Sequence, residues 1–159
     1  MSSLRARANH ALYLARIQIS AWQDQAGREQ IPVTTLAQAF LPAVGNHLRT
    51  AYGYFLLTLV GATQLEASLP TNVADLPEIP QGQMLPPEVA EFQILERQGW
   101  LADMLAAVKL DIAIRSPGIA AAQALSLTPA ASASPEQALA WCDALQTLFD
   151  RMSDSLDEY

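Results

Sequence analysis

Apolar residues recur every three or four positions near the carboxyl end of the chain. They follow Ser134, and Gln137 stands three residues after that serine, which is the spacing of a helix capping box. Pro135 suits the first turn of a helix because it has no N–H group to leave unbonded. The apolar positions are Ala138, Trp141, Cys142, Leu145, Leu148, Phe149, Met152 and Leu156. The pattern predicts an amphipathic helix over residues 134–156 with one buried face.

Three earlier segments, residues 3–26, 33–68 and 87–115, show the same helical periodicity. Gly27 interrupts the pattern and is expected to end the first helix. Pro42 lies inside the second segment, where a proline removes a backbone hydrogen bond, so we expect a kink or a division into two helices. Four principal helices are therefore predicted in all.

No segment shows the alternation of apolar and polar residues that is typical of a strand. We therefore predict one all-α domain over residues 1–159, an up-and-down bundle of four principal helices. Glycines inside the second helix are expected to mark the close approach of a neighbouring helix, which would offset their low helix propensity. These glycines are Gly45, Gly53 and Gly61.

A long proline-rich connection joins the second and third helices over residues 70–86. Loops of more than about 12–15 residues are uncommon in compact domains. Two interpretations stay open: a functional loop, or a crossover that carries the chain from one end of the bundle to the other. Residues 119–133, rich in alanine, form a second linker with room for one short helix.

Composition places the chain among globular proteins. Of 159 residues, 51% are hydrophobic and 16% charged, which is too apolar for a disordered chain. The net charge is −7, divided into +3 over residues 1–60 and −10 over the remainder. Nucleic-acid binding depends on clustered Lys and Arg, so we expect no direct contact with nucleic acid.

Location follows from the absence of targeting patterns in this sequence. The amino-terminal residues lack the uninterrupted apolar stretch of a signal peptide. The most apolar run, residues 51–62, is shorter than the about 20 residues needed to cross a bilayer. Cys142 is the single cysteine and has no partner for an internal disulfide. We expect a cytoplasmic protein with no contact with a membrane.

The sequence lacks the residues that several familiar kinds of site require. The Glu-x-x-His motif of di-iron bundles is absent, because Arg7 and Val44 stand three residues before His10 and His47. A single histidine is more often a polar surface residue than a catalyst. The spacing of Arg5 and His10 resembles that in helical ribonucleases of the HEPN class, although the residue after Arg5 is not polar.

No other residues form a recognisable catalytic or metal site. Cys142 shares a face with apolar residues in an acidic neighbourhood, so we expect a buried thiol of low reactivity. The carboxylates of the third helix, including Glu96 and Asp103, fit a solvated face. We therefore predict no catalytic residues, no cofactor and no metal ligands.

Partner binding is the remaining candidate function. Tyrosines and tryptophans occur on every predicted helix, and those left exposed would mark a binding surface, because these side chains concentrate interface energy. A basic partner would favour the acidic third and fourth helices. The candidates for partner binding are Glu88, Glu91 and Trp100.

Four stretches of the sequence resemble one family. They are residues 8–15 (ANHALYLA), 48–54 (LRTAYGY), 87–101, which end in GWL, and 155–159 (SLDEY). Together they look like a small, uncharacterised proteobacterial family of all-helical proteins of unknown function. The resemblance implies a bacterial cytoplasmic protein with no assigned activity, and it supplies no site residues.

These observations favour a non-enzymatic acidic helical protein whose role is to interact with another protein or to regulate it. The partner is expected to be basic, or a second copy of the chain in a homodimer. Two alternatives remain: a bundle that binds a small apolar ligand, and a HEPN-like ribonuclease.

Overall fold

The computed structural model describes residues 3–61, 69–76, 84, 86–115 and 133–157. Within these ranges the chain is all-helical and contains no strand. The α-helices are α1 (Leu4–Gly27), α2 (Val33–Leu59), α3 (Pro87–Arg97), α4 (Trp100–Arg115) and α5 (Pro135–Asp157), and Val73–Asp75 forms a 3-10 turn. The linker predicted at 119–133 lies outside the described residues, except for Ala133, and so do residues 77–83 and 85 of the 70–86 connection.

The two terminal helices begin at serine caps. The Ser134 hydroxyl accepts a hydrogen bond from the Gln137 N–H group at 3.1 Å, so α5 begins where the capping box predicts. The predicted apolar face of α5 is buried, apart from the partly exposed Leu156. In α1, the Ser3 hydroxyl caps the Ala6 N–H group at 3.1 Å, and the helix ends at Gly27 as predicted.

Helix α2 is uninterrupted at Pro42, so the expected division into two helices is wrong. Leu36 before the proline and Val44 after it are both buried in one core. Burial of α2 before and after Pro42 therefore outweighs the hydrogen bond that the proline removes, because helix propensity is weak compared with tertiary packing. The helix ends at Leu59, and Gly61 follows with φ +66°. Residues 62–68, predicted as helical, lie outside the described residues. Among the helices that the structure describes, none is long and apolar enough to cross a membrane.

The third predicted helix is two helices, which corrects the prediction of one helix over 87–115. Helix α3 ends at Arg97, Gln98 is extended, and Gly99 has φ +107°. Only glycine adopts such a backbone angle without strain. Phe92 and Leu101 are both buried, yet a separation of nine positions would place them on opposite sides of one continuous helix. The apolar pattern therefore changes phase at the break, and together with Gly99 this is a signal in the sequence that the prediction of one helix did not use.

Contacts between side chains define how the helices run relative to one another. Trp22 of α1 stacks on Phe40 of α2 with ring centroids 6.1 Å apart, and at the other end Arg7 lies over Tyr54. Helices α1 and α2 are therefore antiparallel. Ion pairs from α1 to α5 show that these two helices are also antiparallel; they join Arg5 to Asp157 and Arg16 to Asp143.

An aromatic cluster joins three helices at the centre of the core. Phe55 of α2 stacks on Phe149 of α5 with ring centroids 3.8 Å apart. Phe92 of α3 meets Phe55 and Tyr52 edge to face, at 6.1 Å and 5.3 Å. All four rings are buried. The cluster thus ties the apolar faces of α2, α3 and α5 together.

Gly53 of α2 is a point of close approach, as expected, but the neighbour is a different kind of segment. A Cβ atom at position 53 would lie 2.7 Å from the Pro70 carbonyl oxygen and 3.3 Å from the Leu69 Cβ atom. For Gly53 the expectation of a neighbouring helix is therefore wrong, because the connection after α2 folds back onto this face, while Gly61 follows the end of α2 and has no atom within 4 Å of an added Cβ atom. Because glycine has no Cβ atom, position 53 leaves room for the chain at Leu69 and Pro70.

Candidate functional site

The three residues predicted to bind a partner lie where α3 and α4 meet the rest of the protein. Glu91 forms an ion pair with Arg151 of α5, and Glu88 accepts a hydrogen bond from the Ser155 hydroxyl at 3.3 Å. Trp100, at the start of α4, is half-buried against the core. The two glutamates therefore already contribute to the contact between α3 and α5.

A cleft of about 500 Å³ opens between α1 and α2. Residues spaced by three or four along each helix supply its walls, because such residues share one helix face. From α1 these residues are Ala6, Arg7, His10, Ala11 and Leu14, and from α2 they are His47, Thr50 and Tyr54. The volume is typical of sites for small molecules, which are about 300–1,000 Å³.

Register between the two helices explains how the residues of the cleft come together. Arg7 and Tyr54 meet near one end of the antiparallel pair, with 5.9 Å between the guanidinium carbon and the ring centroid. Moving along α1 from Arg7 corresponds to moving back along α2 from Tyr54. His10 and His47 consequently line the same cleft. The sequence shows both histidines, but only the register of the helices places them in one cleft.

His47 is partly buried and feels the charge of His10. Burial lowers the pKa of the His47 imidazole, and the charge on His10 lowers it further. His10 itself is exposed at the mouth of the cleft, where its ring lies 6.5 Å from that of Tyr13. His47 therefore favours the neutral form more than a free histidine does.

The residues proposed to act together in a ribonuclease lie apart. Arg5 points towards α5, where its Nη1 atom is 3.4 Å from a carboxylate oxygen of Asp157. His10 lines the cleft on the side of α2, and Arg5 does not contribute to that cleft. Arg7, two residues after Arg5, lines the cleft together with His10. The spacing of Arg5 and His10 in the sequence did not point to Arg7.

A second polar cluster lies beneath the 3-10 turn and has a structural role. The buried Tyr52 hydroxyl donates to Glu96, and the Val73 N–H group donates to the same carboxylate oxygen at 2.8 Å. Burial, followed by the Glu96 hydrogen bond, raises the pKa of Tyr52 far above its usual range. Glu96, predicted to lie on a solvated face, instead fastens the 71–76 segment to α2 and α3.

Cys142 is buried on α5, as its apolar neighbours predict. Burial raises the pKa of its thiol, which keeps the thiolate scarce, and its sulfur lies 3.8 Å from the Leu12 carbonyl oxygen. Within the described ranges, no group of three or more His, Cys, Asp or Glu side chains is arranged to hold a metal ion.

Comparison with models of known protein families, with curated proteins and with solved structures found no match for this chain. The resemblance to a proteobacterial helical family therefore stays a prediction.

Proposed function

We propose that this protein is a non-enzymatic helical protein that binds a small molecule with an apolar body in the cleft between α1 and α2. The observation that carries the proposal is the cleft itself, at about 500 Å³, lined by apolar and polar side chains of both helices. Ligand sites combine these features: a mostly apolar wall and a few polar groups that orient the ligand.

The scaffold proposed for this function is a four-helix up-and-down bundle, in which α3 and α4 together act as the third helix. Antiparallel contacts between α1 and α2, between α1 and α5, and between α3 and α5 support this arrangement. The proposed location is the cytoplasm, where a lone buried thiol such as Cys142 stays reduced.

The positions of the acidic side chains and of the cleft support binding of a small ligand ahead of binding of a partner protein. The sequence favours a partner protein over a small ligand, with a basic partner on the acidic helices. Yet Glu88 and Glu91 already bond to Ser155 and Arg151 within the chain. The cleft presents hydrogen-bonding side chains and apolar surface to solvent, so it is the better candidate for binding.

Filling the cleft should abolish binding of a neutral apolar probe. Ala6 is an exposed lining residue, so Ala6→Phe is expected to place a ring in the cleft without disturbing the core. Fluorescence titration with N-phenylnaphthylamine should show saturable binding to the full chain and at least about tenfold weaker binding to Ala6→Phe, an affinity loss of about 1.4 kcal/mol.

The matched control is Ala21→Phe, which adds the same ring at an exposed position of α1 that does not line the cleft. Both variants should retain the helical circular dichroism of the unaltered protein. Equal loss of binding in the two variants, or no saturable binding to the unaltered chain, would show that the cleft is not a small-molecule site.

A second candidate function, interaction with another protein, is supported by exposed apolar side chains on α1. Tyr13 and Ile17 are 61% and 49% exposed, one turn apart, and Tyr13 is beside His10 at the mouth of the cleft. Large exposed apolar side chains in a cluster are typical of contact surfaces. A basic protein, a different partner or a second copy in a homodimer would each use such a surface.

Removing this surface should weaken any association between proteins. In the double variant Tyr13→Ser/Ile17→Ser, a homodimer or a complex with a co-purified protein is expected to dissociate, as measured by light scattering after size exclusion. Val33→Ser, which alters a separate residue that is 74% exposed, should have no effect. A complex that survives the double variant but weakens with salt would favour a charged surface instead.

A further inference from the structure

The arginines of α1 have different surroundings. Arg5 and Arg16 each form an ion pair with an aspartate of α5. Arg7 instead lies over the ring of Tyr54, and the described residues offer it no carboxylate partner. A guanidinium group that contacts an aromatic face keeps N–H donors for a carboxylate or phosphate. Arg7 therefore brings an uncompensated positive charge to the wall of the cleft.

The other polar side chains of the cleft are also suited to an anion. His10 and His47 both donate hydrogen bonds and carry positive charge when protonated, and the Thr50 and Tyr54 hydroxyls are neutral donors. No described carboxylate lines the cleft. The cleft is thus cationic in a chain whose net charge is −7.

Apolar side chains complete the lining. Leu14 is half-buried at the end of the cleft away from Arg7, and Ala11 is buried between the two helices. With a rise of 1.5 Å per residue, Arg7 and Leu14 are about 10 Å apart along the helix axis. That separation accommodates a molecule with an acidic group at one end and an apolar body at the other.

We propose that the cleft binds an organic anion, whose carboxylate, sulfonate or phosphate group is held by Arg7 with His10 beside it, and whose body packs on Leu14 at the end of the cleft where His47 lies. This inference rests on the proposed function, because it names the chemical class of the ligand for the same cleft. Charge-assisted hydrogen bonds to Arg7 supply the selectivity for anions over neutral molecules of the same shape.

Binding of the anion should strengthen as the pH falls from about 7.5 to about 5.5, the range in which histidines gain a proton. A bound anion favours a positively charged imidazole in the same cleft, so ligand and protons bind cooperatively. In the free protein His47 resists protonation because it is partly buried and faces His10. The other polar side chains that line the cleft are Arg7 on α1 and Thr50 and Tyr54 on α2. The Tyr13 ring lies 6.5 Å from the His10 ring.

The test compares two fluorescent probes that share one aromatic body. Anilinonaphthalene sulfonate carries a sulfonate, and N-phenylnaphthylamine does not. We expect the sulfonate probe to bind the full chain more tightly, and Arg7→Gln to weaken that probe by about tenfold while leaving the neutral probe unchanged. Arg5→Gln, which neutralises an arginine outside the cleft, should leave the affinity for both probes unchanged.

Two further measurements make the result decisive. Arg7→Lys keeps the charge but loses the planar fork of donors, so its affinity for the sulfonate probe should lie between those of the unaltered chain and Arg7→Gln. In the unaltered chain, affinity for the sulfonate probe should increase at lower pH while that for the neutral probe stays flat. Circular dichroism of each variant confirms that it is folded.

The outcomes separate this inference from the proposed function. If both probes bind equally at every pH and Arg7→Gln changes neither, the anion inference is wrong, whereas the sensitivity of the neutral probe to Ala6→Phe still supports a small-molecule site. If only the neutral probe binds, the anion inference is likewise wrong, and a small-molecule site is still supported. If neither probe binds, both the inference and the proposed function are wrong.

Discussion

Replacing Phe55 with alanine is expected to lower the free energy of unfolding by about 3–5 kcal/mol, the usual range for a buried phenylalanine. The Phe55 side chain is fully buried, stacks on Phe149 and meets the edge of Phe92. Truncation leaves a cavity where α2, α3 and α5 come together. Domains are stable by only about 5–15 kcal/mol, so this one change threatens the whole fold.

Urea unfolding followed by circular dichroism measures the effect. Phe55→Leu retains more of the buried volume and is expected to stay folded, so it gives a value if the alanine variant does not fold. Ile94→Ala, on a side chain of α3 that is 58% exposed, should change stability by no more than about 0.5 kcal/mol. A loss from Phe55→Ala as small as that from Ile94→Ala would contradict the proposed packing of the aromatic cluster.

Gly53→Ala is expected to destabilise the protein by about 1–3 kcal/mol, the typical cost of forcing extra atoms into a packed site. In an open helix the same change stabilises by about 1 kcal/mol, because alanine has the higher helix propensity. Here the added Cβ atom would lie 2.7 Å from the Pro70 carbonyl oxygen. Either α2 or the segment at Leu69 and Pro70 must move to relieve the clash.

Gly27→Ala is the matched control, since no atom lies within 4 Å of an added Cβ atom at that helix end. It should be neutral or raise the free energy of unfolding slightly, measured in the same urea titration. A Gly53→Ala protein more stable than the unaltered chain would mean that the backbone at Pro70 does not pack on α2 in solution.

Charge was a useful but incomplete guide to the working surface. The sequence divides into a net positive portion, residues 1–60, and a net negative remainder, which directs attention to the acidic helices. Asp143 and Asp157 of α5 neutralise two arginines of α1, while Arg7 lies over Tyr54 and has no carboxylate partner among the residues that the structure describes. Counting charges along a chain does not show which of them are paired in space.

Candidate residues of the site were visible in the sequence only in part. His10 and His47 stood out by residue type, but a single histidine is more often a surface residue than part of a site. Arg7 had no distinguishing spacing, and nothing in the sequence separated Tyr54 from the other aromatic residues of its helix. These residues are up to 47 positions apart in the sequence, and the register of two antiparallel helices brings them to one cleft.

Local interactions explain what the sequence by itself determined about this protein. Apolar periodicity predicted the all-helical class, the start of α5 at Ser134 and Pro135, and its buried face, because capping and amphipathicity act within a few residues. The tertiary structure alone decided that α2 continues through Pro42, that Glu96 fastens the 3-10 turn, and that His10 and His47 line one cleft. Each of these features depends on atoms brought together from distant parts of the chain, and packing energy between helices outweighs the local preferences that a sequence pattern reveals.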